Sequence, residues 1–146
     1  MEEIIQEKIS ADHLLYVSLK YTKTCDVIMN LLLRWRKMID TSINALLKHA
    51  FKKGKLKEIP DNAVGKIIAI KKLLKKDENF LNTIEFFIIL KKLEELRTER
   101  IGEFRKNVSL KIMYKGEEIN VNLEQLKIYA EMLEKFITTT KEFLVK

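Results

Sequence analysis

Long hydrophobic runs are missing from this sequence of 146 residues. The longest apolar stretch, Phe86 to Leu90, has five residues, whereas a helix that crosses a bilayer needs about 18 or more. The segment Met1 to Gln6 carries two glutamates, where a secretory signal peptide would be basic. We therefore expect a cytoplasmic protein with no membrane partner.

Residues that commonly carry disulfide, metal or nucleotide chemistry are also scarce. Cys25 is the only cysteine, and its place in an apolar pattern indicates a small buried residue that forms no internal disulfide. The two histidines, His13 and His49, lie 36 positions apart, too far along one helix to share a metal ion. No phosphate-binding glycine loop, zinc-ligand spacing or Ser/His/Asp arrangement is present. The sequence predicts no cofactor and no metal site.

Glycine and proline number only four and one, which favours a helical chain. Apolar residues recur at a mean step of about 3.6 over Ala11 to Lys53, and this spacing predicts one straight helix. A break near Thr22 to Thr24 is the alternative, because β-branched threonines weaken helix propensity. Ser10 is placed to cap its start and Gly54 to end it. Apolar residues on nearly every side of Val27 to Leu33 indicate that other helices, or a second copy of the chain, cover its middle.

Two more helices are predicted, from Pro60 to near Lys76 and, after a short turn and cap at residues 77–79, from Phe80 to Lys106. On the third helix, Glu95, Glu99 and Glu103 would form an acidic stripe at i, i+4 and i+8. The stripe could coordinate magnesium, but interspersed lysines and an arginine favour a solvated, ion-paired face.

The periodicity changes at Val108. Alternating apolar residues up to Val121, with Lys115 and Gly116 between the two halves, predict a two-stranded β-hairpin. Asn122 and Gln125 resemble a capping box that opens the last helix. The predicted fold is mainly all-α, a four-helix bundle in one domain over residues 1–146, with a very long first helix and a small hairpin before the last helix. Unpaired hairpin edges, together with the apolar centre of the first helix, predict a homodimer.

The net charge of +7 is concentrated in one part of the chain. Ten lysines between Lys48 and Lys76 face only Glu58 and Asp61, a local charge of +8. Such a basic region could attract the phosphates of RNA or DNA, or it could simply keep the surface soluble. The predicted nucleic-acid-binding residues are Lys52, Lys53, Lys55, Lys57, Lys66, Lys71, Lys72, Lys75 and Lys76.

Arg97 interrupts the apolar line of the third predicted helix, so its guanidinium must either extend to water or find a carboxylate. Together with Arg100, Glu103 and Arg105 it could form a phosphate-binding cluster. Asp26 and Asp40, on one flank of the first helix, are possible acidic partners.

Two segments carry a family resemblance. The stretches "ADHLLYVSLKYTKT" and "ERIGEFRKNVSL" resemble a group of small archaeal helical-bundle proteins and, more distantly, HEPN-domain bundles. Active HEPN proteins cleave RNA or bind nucleotides, and the ribonucleases pair an arginine with a histidine four to six residues later. In this chain Arg100 and Arg105 have no histidine after them, and Asn107 is the nearest polar residue.

The sequence leaves three functions open. The favoured one is a non-enzymatic module that binds nucleic acid or a protein partner through the lysine-rich region. The second is a HEPN-like, metal-independent ribonuclease, with candidate catalytic residues Arg97, Arg100, Arg105 and Asn107. The third is a structural subunit of a larger complex.

Overall fold

The computed structural model describes residues 1–146 and is mainly helical, with a small antiparallel sheet before the last helix. The prediction of a mainly helical protein with a small β-sheet element before the last helix is therefore confirmed. The chain begins with α1 (Glu2–His13), continues through a π-helical turn (Leu14–Ser18) and ends this first arm with the short α2 (Leu19–Tyr21). A second arm follows as α3 (Cys25–Lys52).

The predicted continuous helix over Ala11 to Lys53 is wrong, because residues 22–24 interrupt it. Thr22 has an extended backbone, with φ −133° and ψ 91°, a conformation that suits a β-branched residue. The Thr24 hydroxyl then accepts a hydrogen bond from the Val27 amide at 3.3 Å and caps α3. Ser10, predicted as the cap, lies inside α1 instead.

The two arms fold back on each other as an antiparallel helical hairpin. Near the middle of the hairpin, the carboxylate of Glu7 lies 3.3 Å from Arg34 Nη1 and 3.1 Å from Lys37 Nζ. Both arms bury their apolar residues along the same interface, which includes Leu19 and Ile28. The apolar residues therefore keep a helical spacing on both sides of the break, and the spacing alone does not show where the helix ends.

Two helices of the second half begin at side-chain caps. In α4 (Ala63–Leu73) the Asn62 side chain accepts from the Gly65 amide at 2.6 Å, so the helix starts after Pro60 rather than at it. In α5 (Glu78–Lys91) the Asp77 carboxylate accepts from the Phe80 amide at 2.9 Å. The predicted cap is thus confirmed at Asp77, but the predicted turn over residues 77–79 is wrong, because Glu78 and Asn79 already belong to α5.

The third predicted helix is wrong beyond Lys91. A 3-10 turn (Leu93–Glu95) follows α5, and the chain then extends into strand β1 (Thr98–Ile101). β1 pairs with β2 in antiparallel register, from Thr98 opposite Ile112 to Ile101 opposite Ser109. This non-local backbone pairing overrides the local preference of the segment for a helix. The acidic stripe of Glu95, Glu99 and Glu103 therefore does not exist as one helical face.

The predicted hairpin is confirmed as β2 (Ser109–Tyr114) and β3 (Glu117–Asn122), and β1 enlarges it to a sheet of order β1-β2-β3. Lys115 and Gly116 both have positive φ, 49° and 79°, as a type I′ turn requires. The last helix, α6 (Leu123–Leu144), begins where predicted, because the Asn122 side chain accepts from the Gln125 amide at 2.8 Å.

One hydrophobic cluster of 30 buried residues draws on α1, α3, α4, α5, β2, β3 and α6. Trp35 meets the rings of Phe86 and Tyr129 edge-on, and Phe80 stacks on Phe136. Within Val27 to Leu33, the chain itself buries Ile28, Leu31 and Leu32 completely. That apolar centre therefore no longer calls for a second copy of the chain. None of the helices has the length and apolar character needed to span a bilayer.

Candidate functional site

The loop between β1 and β2, residues 102–108, packs over the break between the two helical arms and is hydrogen-bonded to it. The backbone amide of Phe104 donates to the Lys23 carbonyl at 2.6 Å. The Glu103 carboxylate accepts from the Cys25 amide, at 3.3 Å from Oε1 and 3.2 Å from Oε2. Because the first amides of a helix have no partner within it, Glu103 and the Thr24 hydroxyl together cap α3.

Arg100 joins the same cluster from β1. Its Nη2 atom lies 2.6 Å from Asp26 Oδ1, and its Nη1 atom lies 3.7 Å from Glu103 Oε1. Hydrogen bonding and attraction to Asp26 raise the pKa of the guanidinium above its usual value. The predicted partnership of Asp26 with the arginine cluster is confirmed for Arg100. We call Cys25, Asp26, Arg100 and Glu103 the helix-break cluster.

The structure does not gather the other candidate catalytic residues around Arg100. Arg97 is exposed, and its carbonyl accepts from the Met113 amide at 2.9 Å, so its predicted place in an apolar core line is wrong. Arg97 and Arg100 stand three positions apart in extended chain and therefore point to opposite faces of the sheet. Arg105 lies in the loop and forms no ion pair. Asp40 lies fourteen residues, about 21 Å, along α3 from Asp26.

Asn107 and the two histidines have structural neighbours of their own. The Asn107 side chain and backbone pack under Gly102, whose φ of +66° turns the loop. His49 meets the ring of Phe143 near the far end of α3, with centroids 5.7 Å apart. His13 lines an open groove between α1 and α3. The histidines therefore stay apart, and neither lies in the helix-break cluster.

Cys25 is buried as predicted, and its thiol donates to the Ser109 carbonyl at 3.3 Å. Burial raises the thiol pKa above its ordinary value, and the neighbouring Glu103 carboxylate adds to the increase. A thiol held protonated in this way is a poor nucleophile. No group of three or more His, Cys, Asp or Glu side chains is placed to hold a metal ion.

The sequence patterns did not identify Phe104, the aromatic residue at the tip of the loop between β1 and β2. Phe104 has a left-handed backbone, with φ +66°, and its side chain is 76% exposed. A bulky residue in this region of φ is an outlier, because its Cβ crowds the backbone. The signal that could have found the loop is Gly102, which interrupts the predicted third helix.

The nine predicted binding lysines define a second candidate site, which we call the lysine face. They lie at the end of α3, in the following loop and along α4 to the turn before α5. Lys71 lies 2.6 Å from Glu85, and Lys66 donates to the Asn44 side chain at 3.0 Å. Apart from Lys71, none of the nine forms an ion pair.

The same region has exposed aliphatic residues on α4. Val64 is 69% exposed and Ile68 is 50% exposed, and of the residues of α4 only Ile70 is fully buried. Val64 and Ile68 are four positions apart and therefore share a face of the helix. The outward face of α4 thus combines aliphatic side chains with lysines.

Comparison of the chain with protein-family models, curated proteins and solved structures finds no match. The similarity to HEPN-domain bundles and to small archaeal helical proteins therefore stays a prediction.

Proposed function

We propose that this protein is a non-enzymatic nucleic-acid-binding module that contacts phosphates through the lysine face. The observation that supports this most is the local excess of unpaired positive charge. Outside residues 48–76 the chain has 18 lysines and arginines mixed with 19 aspartates and glutamates. Six of those cations, among them Lys8, Arg34 and Lys37, lie within 4 Å of a carboxylate. On the lysine face, eight of nine cations have no such partner.

The type of cation indicates how the surface would bind. Lysine is a compact, flexible point charge, whereas arginine forms the planar, two-pronged contacts that read guanine or grip one phosphate. A surface built from lysine alone therefore contacts the phosphate backbone with little preference for sequence. Its affinity would come from the release of counterions and would fall steeply with salt.

The ribonuclease alternative has no arrangement of residues to favour it. Arg100 is held by two carboxylates, and Arg97 points to the opposite face of the sheet. The homodimer prediction also stays open, and it now depends on the edges of the sheet rather than on the centre of α3. A protein partner or a larger complex would instead use the exposed Val64 and Ile68.

The test is a salt series of fluorescence-anisotropy titrations with a labelled RNA strand and a DNA duplex. Lys52, Lys53 and Lys57 are replaced together by glutamine, and Lys115, Lys127 and Lys135 are replaced in a control variant with the same loss of charge. If the three lysines contact three phosphates, a plot of the log of the binding constant against log salt should be shallower for the triple variant, by about 2 to 3 units of slope. The control should keep the slope of the original protein.

Two outcomes would overturn the proposal. Equal losses in both variants would show attraction by net charge alone, and flat titrations at low salt would show no binding. The end-point RNA is also run on a gel, where cleavage by the protein would contradict the non-enzymatic assignment. Replacement of Val64 and Ile68 by serine should leave nucleic-acid affinity unchanged, since neither residue carries charge.

A further inference from the structure

We infer that the loop over the helix break forms a stacking platform for unpaired bases, with Phe104 and Tyr21 as its aromatic contacts. This site goes beyond the lysine face, although it extends the same proposed function. It specifies single-stranded nucleic acid as the ligand. The exposure of the two rings, the strain at Phe104 and the cations around them support this site.

Both aromatic residues stand clear of the core. Phe104 is 76% exposed and Tyr21 is 78% exposed, more than any other aromatic residue of the chain. The Phe104 amide is bonded to the Lys23 carbonyl, which places its backbone two residues from Tyr21. Single exposed apolar residues are common, but here two large rings stand on adjoining segments at one end of the molecule.

The backbone holds Phe104 outward at the expense of strain. Its φ of +66° is unfavourable for any residue with a side chain, and no burial of the ring offsets it. The conformation persists because the loop is fixed by hydrogen bonds, from Arg105 to the Gly102 carbonyl at 2.9 Å and from Val108 to the Arg105 carbonyl at 3.0 Å. Strain of this kind concentrates at binding sites, where it preorganises a contact.

The charges around the rings favour nucleic acid over an apolar partner. Lys20 and Lys23 flank Tyr21, and Arg105 and Lys106 follow Phe104 directly. None of these four cations forms an ion pair. Aromatic rings bordered by free cations are the usual means of binding single strands, because bases stack on the rings while phosphates contact the cations.

The platform and the lysine face lie at opposite ends of α3. That helix has 28 residues, so its ends are about 42 Å apart. The two sites can therefore be tested separately. One site depends on bases and the other depends on phosphates, and a strand whose bases have been removed keeps only the second kind of contact.

The experiment compares a labelled strand of about 12 nucleotides with an abasic strand of the same length and charge, a length that falls within the range of known single-strand sites. The original protein should bind the normal strand at least about fivefold more tightly, since one stacked base contributes about 1 to 3 kcal/mol. Phe104→Ala should remove most of this difference, and Phe104→Trp should keep it. The triple lysine variant should weaken binding of both strands by the same factor.

A further variant separates binding from folding. Phe104→Gly removes the ring and also relieves the positive φ, so it should raise the midpoint of thermal unfolding while abolishing the preference for bases. Equal affinity of the original protein for normal and abasic strands would overturn the platform, even if the lysine face binds. If the triple lysine variant keeps both the salt slope and the base preference of the original protein, the lysine face is overturned and the platform remains supported.

Discussion

The Glu103 carboxylate lies 3.2 Å from the backbone amide of Cys25, a residue 78 positions earlier in the chain. This bond ties the loop after β1 to the first turn of α3. It also places a negative charge at the positive end of a helix 28 residues long. The loop is therefore part of the cap of the main helix as well as a connection between strands.

Replacement of Glu103 by alanine should lower the free energy of unfolding by about 1 kcal/mol, the usual effect of losing a helix cap. Glu103→Gln should recover part of this loss, because the amide oxygen can still accept from Cys25. Urea denaturation measures both variants. Glu95→Ala is the control, since Glu95 is exposed and its side chain forms no hydrogen bond or ion pair. Equal stability of Glu103→Ala and the control would rule out a capping role.

Local chemistry predicted those parts of the fold that neighbouring residues decide. The hairpin turn at Lys115 and Gly116 and the Asn122 cap depend on side chains within a few positions of each other. The helix break and β1 depend on partners far away in the chain, such as Glu103 for Cys25 and β2 for β1. Apolar periodicity reports only which side of a helix is buried and cannot show such pairing. At Thr22 the chain reverses direction, but both arms bury their apolar residues at one interface, so the periodicity continues through the reversal.

The candidate sites divide in the same way. The lysine face could be predicted from the sequence, because its lysines are close together along the chain as well as in the fold. The pairing of Arg100 with Asp26 was anticipated by charge, although Arg100 lies on a strand rather than on a helix. Gly102 was the one sequence signal for the loop that exposes Phe104, and the helical periodicity around it outweighed that signal.

Gly102 offers a test of how closely that loop is packed. A Cβ atom at this position would lie 2.8 Å from Asn107 Oδ1 and 2.9 Å from the Asn107 carbonyl oxygen. Gly54 also has positive φ, but a Cβ atom there would have no neighbour within 4 Å. Alanine at Gly54 therefore incurs only the backbone penalty, about 1 to 2 kcal/mol. Alanine at Gly102 incurs an additional overlap penalty of about 1 to 3 kcal/mol.

Chemical denaturation of the two glycine variants gives the difference directly. We expect Gly102→Ala to be less stable than Gly54→Ala by at least about 1 kcal/mol. The double variant Gly102→Ala with Asn107→Ala should recover only part of the loss, because the carbonyl overlap persists. Equal destabilisation at the two glycines would mean that the loop is free to move away from Asn107.

The ion pair of Arg100 and Asp26 should contribute little to stability, despite its 2.6 Å separation. Both side chains are more than half exposed, so water and salt screen their attraction. A double-mutant cycle of Arg100→Gln and Asp26→Asn should give a small coupling energy that disappears at high salt. A large coupling that persists in salt would instead show that the pair is shielded from solvent.

Stability should fall at alkaline pH because two groups are held in their neutral, protonated forms. Burial raises the pKa of the Cys25 thiol above its ordinary value of about 9, and burial raises the pKa of the Tyr129 hydroxyl above about 10. Once the pH passes these ordinary values, the unfolded chain loses protons that the folded chain retains, so the free energy of unfolding declines. The stabilisation is complete below about pH 9 and is lost as the pH rises through the folded-state pKa values.

Urea denaturation at intervals from neutral pH to above pH 10 measures this slope. Cys25→Ala should flatten the part that begins near pH 9, and Tyr129→Phe should flatten the part that begins near pH 10. Tyr16→Phe is the control, because the Tyr16 side chain is 57% exposed. The thiol should also react slowly with a disulfide reagent in the folded protein and rapidly in urea. Fast native reaction together with an unchanged alkaline slope would show that α3 opens at its first turn, and that Glu103 does not hold the loop over Cys25.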